Sequence, residues 1–136
     1  MPDKECHLAM AKRNQVLIDK LISDGNSHPE WVAVIAFYKA LHIVDAVLFA
    51  THPDKHGGDH KQRMRILKTT NKYNAIFRYY RPLYSASTVG RYLEHDSAEY
   101  KCFADYMSAS DVVSILLNHN LRQLEKSAAN FIGPFA

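Results

Sequence analysis

S-H-P-E-W-V-A-V-I-A-F-Y-K-A-L-H-I-V-D-A-V-L-F-A, Ser27–Ala50, is the stretch on which the fold turns. Trp31, Val32, Val34, Ile35, Phe37, Leu41, Ile43, Val44, Val47, Leu48 and Phe49 lie on nearly every side of a helix, rather than along one stripe. A helix that is apolar all round needs neighbours on most sides, so this one is expected at the centre of a bundle. Ser27 and Glu30 spell an S-x-x-E capping box at its start, and Pro29 is tolerated in the first turn. Its few polar side chains, Tyr38, Lys39, His42 and Asp45, stand against this apolar background and each needs a partner.

Outward from this helix the patterns remain helical. Upstream, Lys4–Ser23 predicts a helix with Leu8, Met10, Val16, Leu17, Leu21 and Ile22 as its apolar positions, closed by Gly25-Asn26. Downstream, a loop over His52–Gly58 leads to Asp59, an N-cap for a helix reaching about Thr69. Tyr73, Ile76, Phe77, Tyr80, Leu83, Tyr84 and Ser87 recur every three or four residues, and Pro82 is expected to kink or interrupt that helix near Arg78–Arg81. Glu94–Ser108 is aromatic and irregular. A last helix starts near Ser108 or Ser110, helped by the S-x-x-D spacing to Asp111. Val112, Val113, Leu116, Leu117, Leu121, Leu124, Ala128 and Phe131 form its apolar face, and Gly133-Pro134 closes it. No strand-like alternation persists. The expectation is an all-α, four- to five-helix up-down antiparallel bundle, one domain over 1–136.

Composition excludes several classes. With 47% hydrophobic and 23% charged residues, the chain reads as an ordinary globular protein. Its N-terminus, M-P-D-K-E-C-H-L-A-M-A-K-R, has no apolar run of signal-peptide length, so a cytoplasmic protein that does not enter a membrane is expected. Cys6 and Cys102 form no C-x-x-C and are expected as reduced thiols. No P-loop or G-x-S-x-G pattern is present. The net charge of +3 is unevenly spread: His52–Tyr92 holds nine basic and two acidic residues, +7, which leaves −4 for the rest. Such a basic half, interleaved with tyrosines, suits phosphate-bearing partners.

H-P-D-K-H-G-G-D-H-K-Q-R, His52–Arg63, concentrates the chemistry. His52-Pro53-Asp54 is the tripeptide of J-domains, but those place basic residues on the preceding helix, where this chain has D-A-V-L-F-A-T. His52, His56 and His60, with Asp54 and Asp59, are the candidates for a metal ion; neither a resident metal nor a cofactor is expected. His42 and Asp45, three residues apart on one helix face, read either as a buried hydrogen-bonded pair or as the wall of a cleft. In the second reading His42 joins His60, Arg63, Tyr80 and Arg91 around a phosphate.

Three motifs in order, W-V-A-V-I-A-F-Y-K-A-L-H-I-V-D-A-V-L (Trp31–Leu48), H-K-Q-R-M-R-I-L (His60–Leu67) and Y-R-P-L-Y-S-A-S-T-V-G-R-Y (Tyr80–Tyr92), resemble the HEPN superfamily. The resemblance implies a helical bundle, usually homodimeric, that binds nucleotide or RNA. It also implies a toxin–antitoxin or defence setting, with a nucleotidyltransferase antitoxin as partner. Many members are metal-independent RNases with an R-x4–6-H site. Here no arginine has a histidine at that spacing, and Arg91-Tyr-Leu-Glu-His95 is one residue short. The expectation is therefore a nucleotide- or RNA-binding protein with phosphate held by Arg63, Arg78, Arg81 and Arg91. His42, Asp45 and His60 would stand beside them, and Tyr80 or Tyr84 would stack on a base. A metal-independent endoribonuclease using Arg91 and His95, or His42 and His60, is one alternative. A non-catalytic protein-interaction bundle is another.

Overall fold

A computed structural model describes residues 3–55 and 58–135. The apolar stretch forms α2, Pro29–Thr51, with fourteen of its residues buried. Pro29 disfavours helical geometry at the residue before it. His28 accordingly sits at φ −127°, ψ 63° and takes the N-cap position without a side-chain cap bond. The expected Ser27–Glu30 box is therefore not formed; Pro29 moves the helix start one residue on. α2 is long and apolar enough to cross a membrane, but 78% of its most apolar window is buried within the bundle. It is the core helix of this fold.

α1, Lys4–Ser23, is capped by Asp3, whose carboxylate accepts from the Cys6 amide at 3.0 Å. It faces α2 with Ala11 and Ile18, while Met10, Val16 and Leu17 stay exposed, contrary to the expected apolar positions. The apolar residues of this helix run round its whole surface, so periodicity alone did not choose the face. α3, His60–Thr69, is capped as expected by Asp59, which accepts from the Gln62 amide at 2.8 Å. α4, Asn74–Tyr92, runs unbroken through Pro82. One missing N–H in a long helix packed against α2 is outweighed by the burial of Ile76, Tyr80, Leu83, Ala86 and Val89. Gly90 lets the two helices close on each other, because a Cβ there would lie 3.0 Å from both the Glu30 carbonyl oxygen and Val34.

Leu93, in the left-handed region at φ 58°, stops α4. A two-strand hairpin follows, β1 (Glu94–His95) pairing antiparallel with β2 (Ala98–Glu99), His95 opposite Ala98. Asp96 and Ser97 both take positive φ, as a two-residue hairpin turn demands. The last helix, α5, spans 109–132 after a Ser108 cap that bonds the Asp111 amide at 3.1 Å. Over Val112–Leu121 it winds in the wider π form. Its buried apolar residues there, Val112, Leu116 and Leu121, are spaced four and then five apart, with Asn120 buried beside the last of them. An i→i+5 turn keeps that spacing on one face where an α turn would rotate it away.

Cross-helix contacts give the topology. His7 meets His42 and Gln15 meets Lys39, so α1 runs antiparallel to α2. Gly90 meets Glu30 and Tyr73 meets Thr51, so α4 is antiparallel to α2 as well. Tyr79 touches His119 and Tyr73 touches Phe131, so α5 returns antiparallel to α4. The molecule is an all-α up-down bundle of four long helices with short α3 laid across α2 and α4.

Candidate functional site

The four polar residues of α2 each meet a different neighbour. Lys39, buried to 8% exposure, donates from Nζ to Gln15 Oε1 at 2.6 Å and to Glu125 Oε1 at 2.9 Å, tying α1 and α5 to the core helix. Tyr38 lies beneath the Arg91 guanidinium, 6.0 Å from its carbon. His42 Nδ1 is 3.1 Å from His7 Nδ1, a contact that the sequence reading missed. Asp45 takes a two-pronged bond from Arg63, Nε to Oδ1 at 2.7 Å and Nη2 to Oδ2 at 3.1 Å.

This last pair changes the roles expected for both residues. Asp45 and Arg63 are 8% and 6% exposed, so the carboxylate cancels the guanidinium charge inside the protein. Nη2 of Arg63 also donates to the Gly58 carbonyl at 3.1 Å, and Nη1 lies 3.5 Å from His60 Nδ1. Gly58 has φ +69° and a Cβ there would collide with the Gln62 side chain, so this carbonyl is presented by a residue with no side chain to spare. The expected buried-pair reading of His42 with Asp45 resolves differently: the partner of Asp45 is on α3 and that of His42 is on α1.

His60 lines an open groove, and Arg91 stands outside that lining, against the same Phe37 ring as His60. His60 is half-buried, its ring 5.6 Å from Phe37 and 6.0 Å from Tyr84. Arg91 donates to the Ser87 carbonyl and hydroxyl at 3.3 Å each, and its guanidinium lies 5.1 Å from the Tyr92 ring and 5.9 Å from Phe37. No carboxylate among the described residues pairs with it. The groove has a volume of about 1090 Å³, walled by His60, Lys61, Met64, Arg65 and Lys68 of α3 and Tyr84 of α4. The Asp59 carboxylate, which accepts from the Gln62 amide, is the one acidic group in its lining among the described residues. Lys61, Arg65 and Lys68 were not singled out in the sequence. Their signal was there in the i, i+4, i+7 spacing, which puts three cations on one stripe.

Other expected members separate. Tyr80 is wholly buried, its hydroxyl set toward the Arg63 guanidinium without a well-formed hydrogen bond, so it cannot stack on a ligand; Tyr84, half-buried at the groove, can. Burial pushes the Tyr80 phenol well above its usual range. Because that hydroxyl faces the Arg63 guanidinium but forms no well-aligned bond, Tyr80→Phe is expected to change stability by no more than about 1 kcal/mol in urea unfolding. A loss above about 1 kcal/mol would reveal a partner for that hydroxyl. Arg78 and Arg81 are exposed and line a different groove. At about 100° per residue they lie on another face of α4 from Tyr80, Tyr84, Ser87 and Arg91. His95 leaves the helix with Leu93; its Nε2 is 3.1 Å from Asp96 and its ring meets Tyr84 edge-on at 6.4 Å. No hydrogen bond joins it to Arg91, and the two do not share a helix face.

Of the metal candidates, His52 Nδ1 accepts from the Asp54 amide at 3.3 Å, His60 turns inward against Phe37, and His56 lies outside the described residues. Among the described residues no group of three or more histidine, cysteine, aspartate or glutamate side chains is placed to hold a metal ion.

Both inner histidines are biased toward neutrality. Burial lowers the His42 pKa below 6.5, with His7 adding to the effect and Asp45 opposing it. His60 is lowered by burial first, then by the Arg63 and Arg91 charges. The unfolded chain takes up these protons near pH 6.5 while the native chain resists them. Stability is therefore fully present above that pH and lost as pH falls through it. NMR titration of the ring protons should give midpoints below 6.5 for both; a midpoint at or above 6.5 for His42 contradicts the assignment.

No family model matches the chain, and no curated protein or solved structure matches it either.

Proposed function

We propose that this chain is a HEPN-like helical protein that binds a nucleotide or RNA along the α3–α4 groove. The single observation that carries the reading is the groove itself, with Lys61, Arg65 and Lys68 in a stripe beside Tyr84 and His60. Arg91, free of any carboxylate partner among the described residues, stands beyond the lining against the same Phe37 ring as His60. Consecutive phosphates would follow the three exposed cations, and a base would stack on Tyr84. His60, held neutral by burial and two arginines, gains affinity for a proton when an anion arrives, so binding should tighten as pH falls toward 6. The resemblance adds the setting: a cytoplasmic homodimer in a toxin–antitoxin or defence pair, with a nucleotidyltransferase as antitoxin. Fluorescence anisotropy with labelled single-stranded RNA tests the core of the reading, and no measurable binding at low salt sinks it.

A metal-independent endoribonuclease is the second reading, favoured by the placement of His60 and Arg91 against one aromatic ring, 5.6 and 5.9 Å from Phe37. Arg91 would hold the phosphate while a neutral histidine takes the 2′-hydroxyl proton. RNA cleavage that survives EDTA and falls at least about 100-fold in both Arg91→Ala and His60→Ala is the expected result for this mechanism. The same loss in His95→Ala instead of His60→Ala would restore the spacing-based pair. Cleavage retained in all three variants removes the RNase.

A further inference from the structure

Arg78 and Arg81 belong to a groove of their own, with a volume of about 670 Å³, on the far face of α4. Residues three apart on a helix hold their Cβ atoms about 5–6 Å from each other, close enough for two guanidiniums to converge on one phosphate. Neither arginine forms an ion pair among the described residues. Asn74 and Ser85 line the same concavity, and neither side chain hydrogen-bonds within the described chain. Phe77 and the half-buried Tyr106 supply aromatic walls. Pro82, also in the lining, has no N–H to give the Arg78 carbonyl, which leaves an acceptor without its helical donor on this side of the helix. Paired cations, a flat apolar wall and a spare carbonyl together suit a ligand that carries a negative group, an aromatic ring and N–H donors.

We propose that this groove is a second ligand site, which takes a mononucleotide with its phosphate on Arg78 and Arg81 and its base against Tyr106. The volume, about 670 Å³, is that of a small-molecule pocket. The site is independent of the α3–α4 groove: its residues come from the other face of α4 and from the loop before α5.

Calorimetry with AMP, inorganic phosphate and adenosine tests it. AMP should bind more tightly than either fragment. Arg78→Gln/Arg81→Gln should weaken AMP about tenfold or more, the loss expected for a bidentate arginine contact. Tyr106→Leu should weaken AMP about fivefold or more through lost stacking, with inorganic phosphate unaffected. The AMP binding that remains in Lys61→Gln/Arg65→Gln/Lys68→Gln, where the α3–α4 groove has lost its cations, should still fall about tenfold or more when Arg78→Gln/Arg81→Gln is added, which separates this site from that groove. AMP affinity insensitive to the arginine pair, or no better than that of inorganic phosphate, overturns the proposal. Since Tyr106 also packs on Tyr100 and Phe103, amide shifts of the wild-type protein give a readout free of folding effects. Shifts at Arg78, Ser85 and Tyr106 on AMP addition support the site, and shifts confined to α3 overturn it.

Discussion

Arg63→Ala is expected to lower the unfolding free energy by about 3–5 kcal/mol, and Asp45→Ala by a similar amount. Each change strands one charge in a place nearly closed to water: Asp45 is 8% and Arg63 6% exposed. In the wild type the two side chains satisfy each other through two bonds, at 2.7 and 3.1 Å, and Gly58 takes a third. With Arg63 gone, Asp45 must stay ionised unpaired, draw in water or take up a proton; with Asp45 gone, Arg63 keeps an unpaired charge or draws in water, and each of these costs stability. A single loss of this size is a large part of the roughly 5–15 kcal/mol that holds a typical domain together. Asp45→Leu/Arg63→Met should recover much of the loss, because an apolar pair of similar volume needs no desolvation of charge. Urea unfolding of the wild type, Asp45→Leu, Arg63→Met and Asp45→Leu/Arg63→Met closes the cycle. Single variants within about 1 kcal/mol of wild type would mean that the pair is more solvated than its burial implies. The cycle also bears on the binding site: a guanidinium already neutralised by Asp45 has little charge to offer a phosphate, so Arg63→Ala should change RNA affinity only through the folded fraction.

The architecture was legible because one helix dominated the sequence. An all-round apolar stretch such as Ala33–Leu48 has few options other than the middle of a bundle, and the Asp59 and Ser108 caps gave the helix starts on either side. Legibility failed where a local signal competed with tertiary packing. Pro82 reads as a break, yet the burial of the α4 face keeps the helix whole. Ser27 reads as a cap, but Pro29 sets the backbone before it and moves the start to His28. For the site, residue types were readable and pairings were not. Asp45 sits three residues from His42 in sequence and bonds instead to an arginine eighteen residues away. His42 finds His7 across thirty-five residues. The four arginines expected around one phosphate divide: Arg63 is consumed in the core, Arg91 shares the Phe37 ring with His60, and Arg78 and Arg81 face elsewhere. A charge sum over His52–Tyr92 carries no information on which side of α4 each cation lies.

RNA binding should fall steeply with salt, and neutralising one stripe of α3 should remove most of that dependence. Each phosphate neutralised on a single strand contributes a slope of about −0.7 to log affinity against log salt. If Lys61, Arg65, Lys68 and Arg91 each meet one phosphate, the wild-type slope is about −2.8, a loss of roughly 50-fold between 50 and 200 mM salt. Lys61→Gln/Arg65→Gln/Lys68→Gln retains one such contact, so its slope should drop to about −0.7 and its affinity at 50 mM salt should fall by roughly 10²–10³-fold. The three side chains are on the exposed or groove-facing side of α3, opposite the buried Ile66 and Leu67, so the triple variant should unfold like the wild type. That separation gives the measurement its force, since a change in slope at constant stability reports counterion release and nothing about the core. Anisotropy titrations at four salt concentrations are sufficient. Equal slopes for the wild type and the triple variant would place the RNA elsewhere on the protein, and a flat slope in both would remove phosphate recognition altogether.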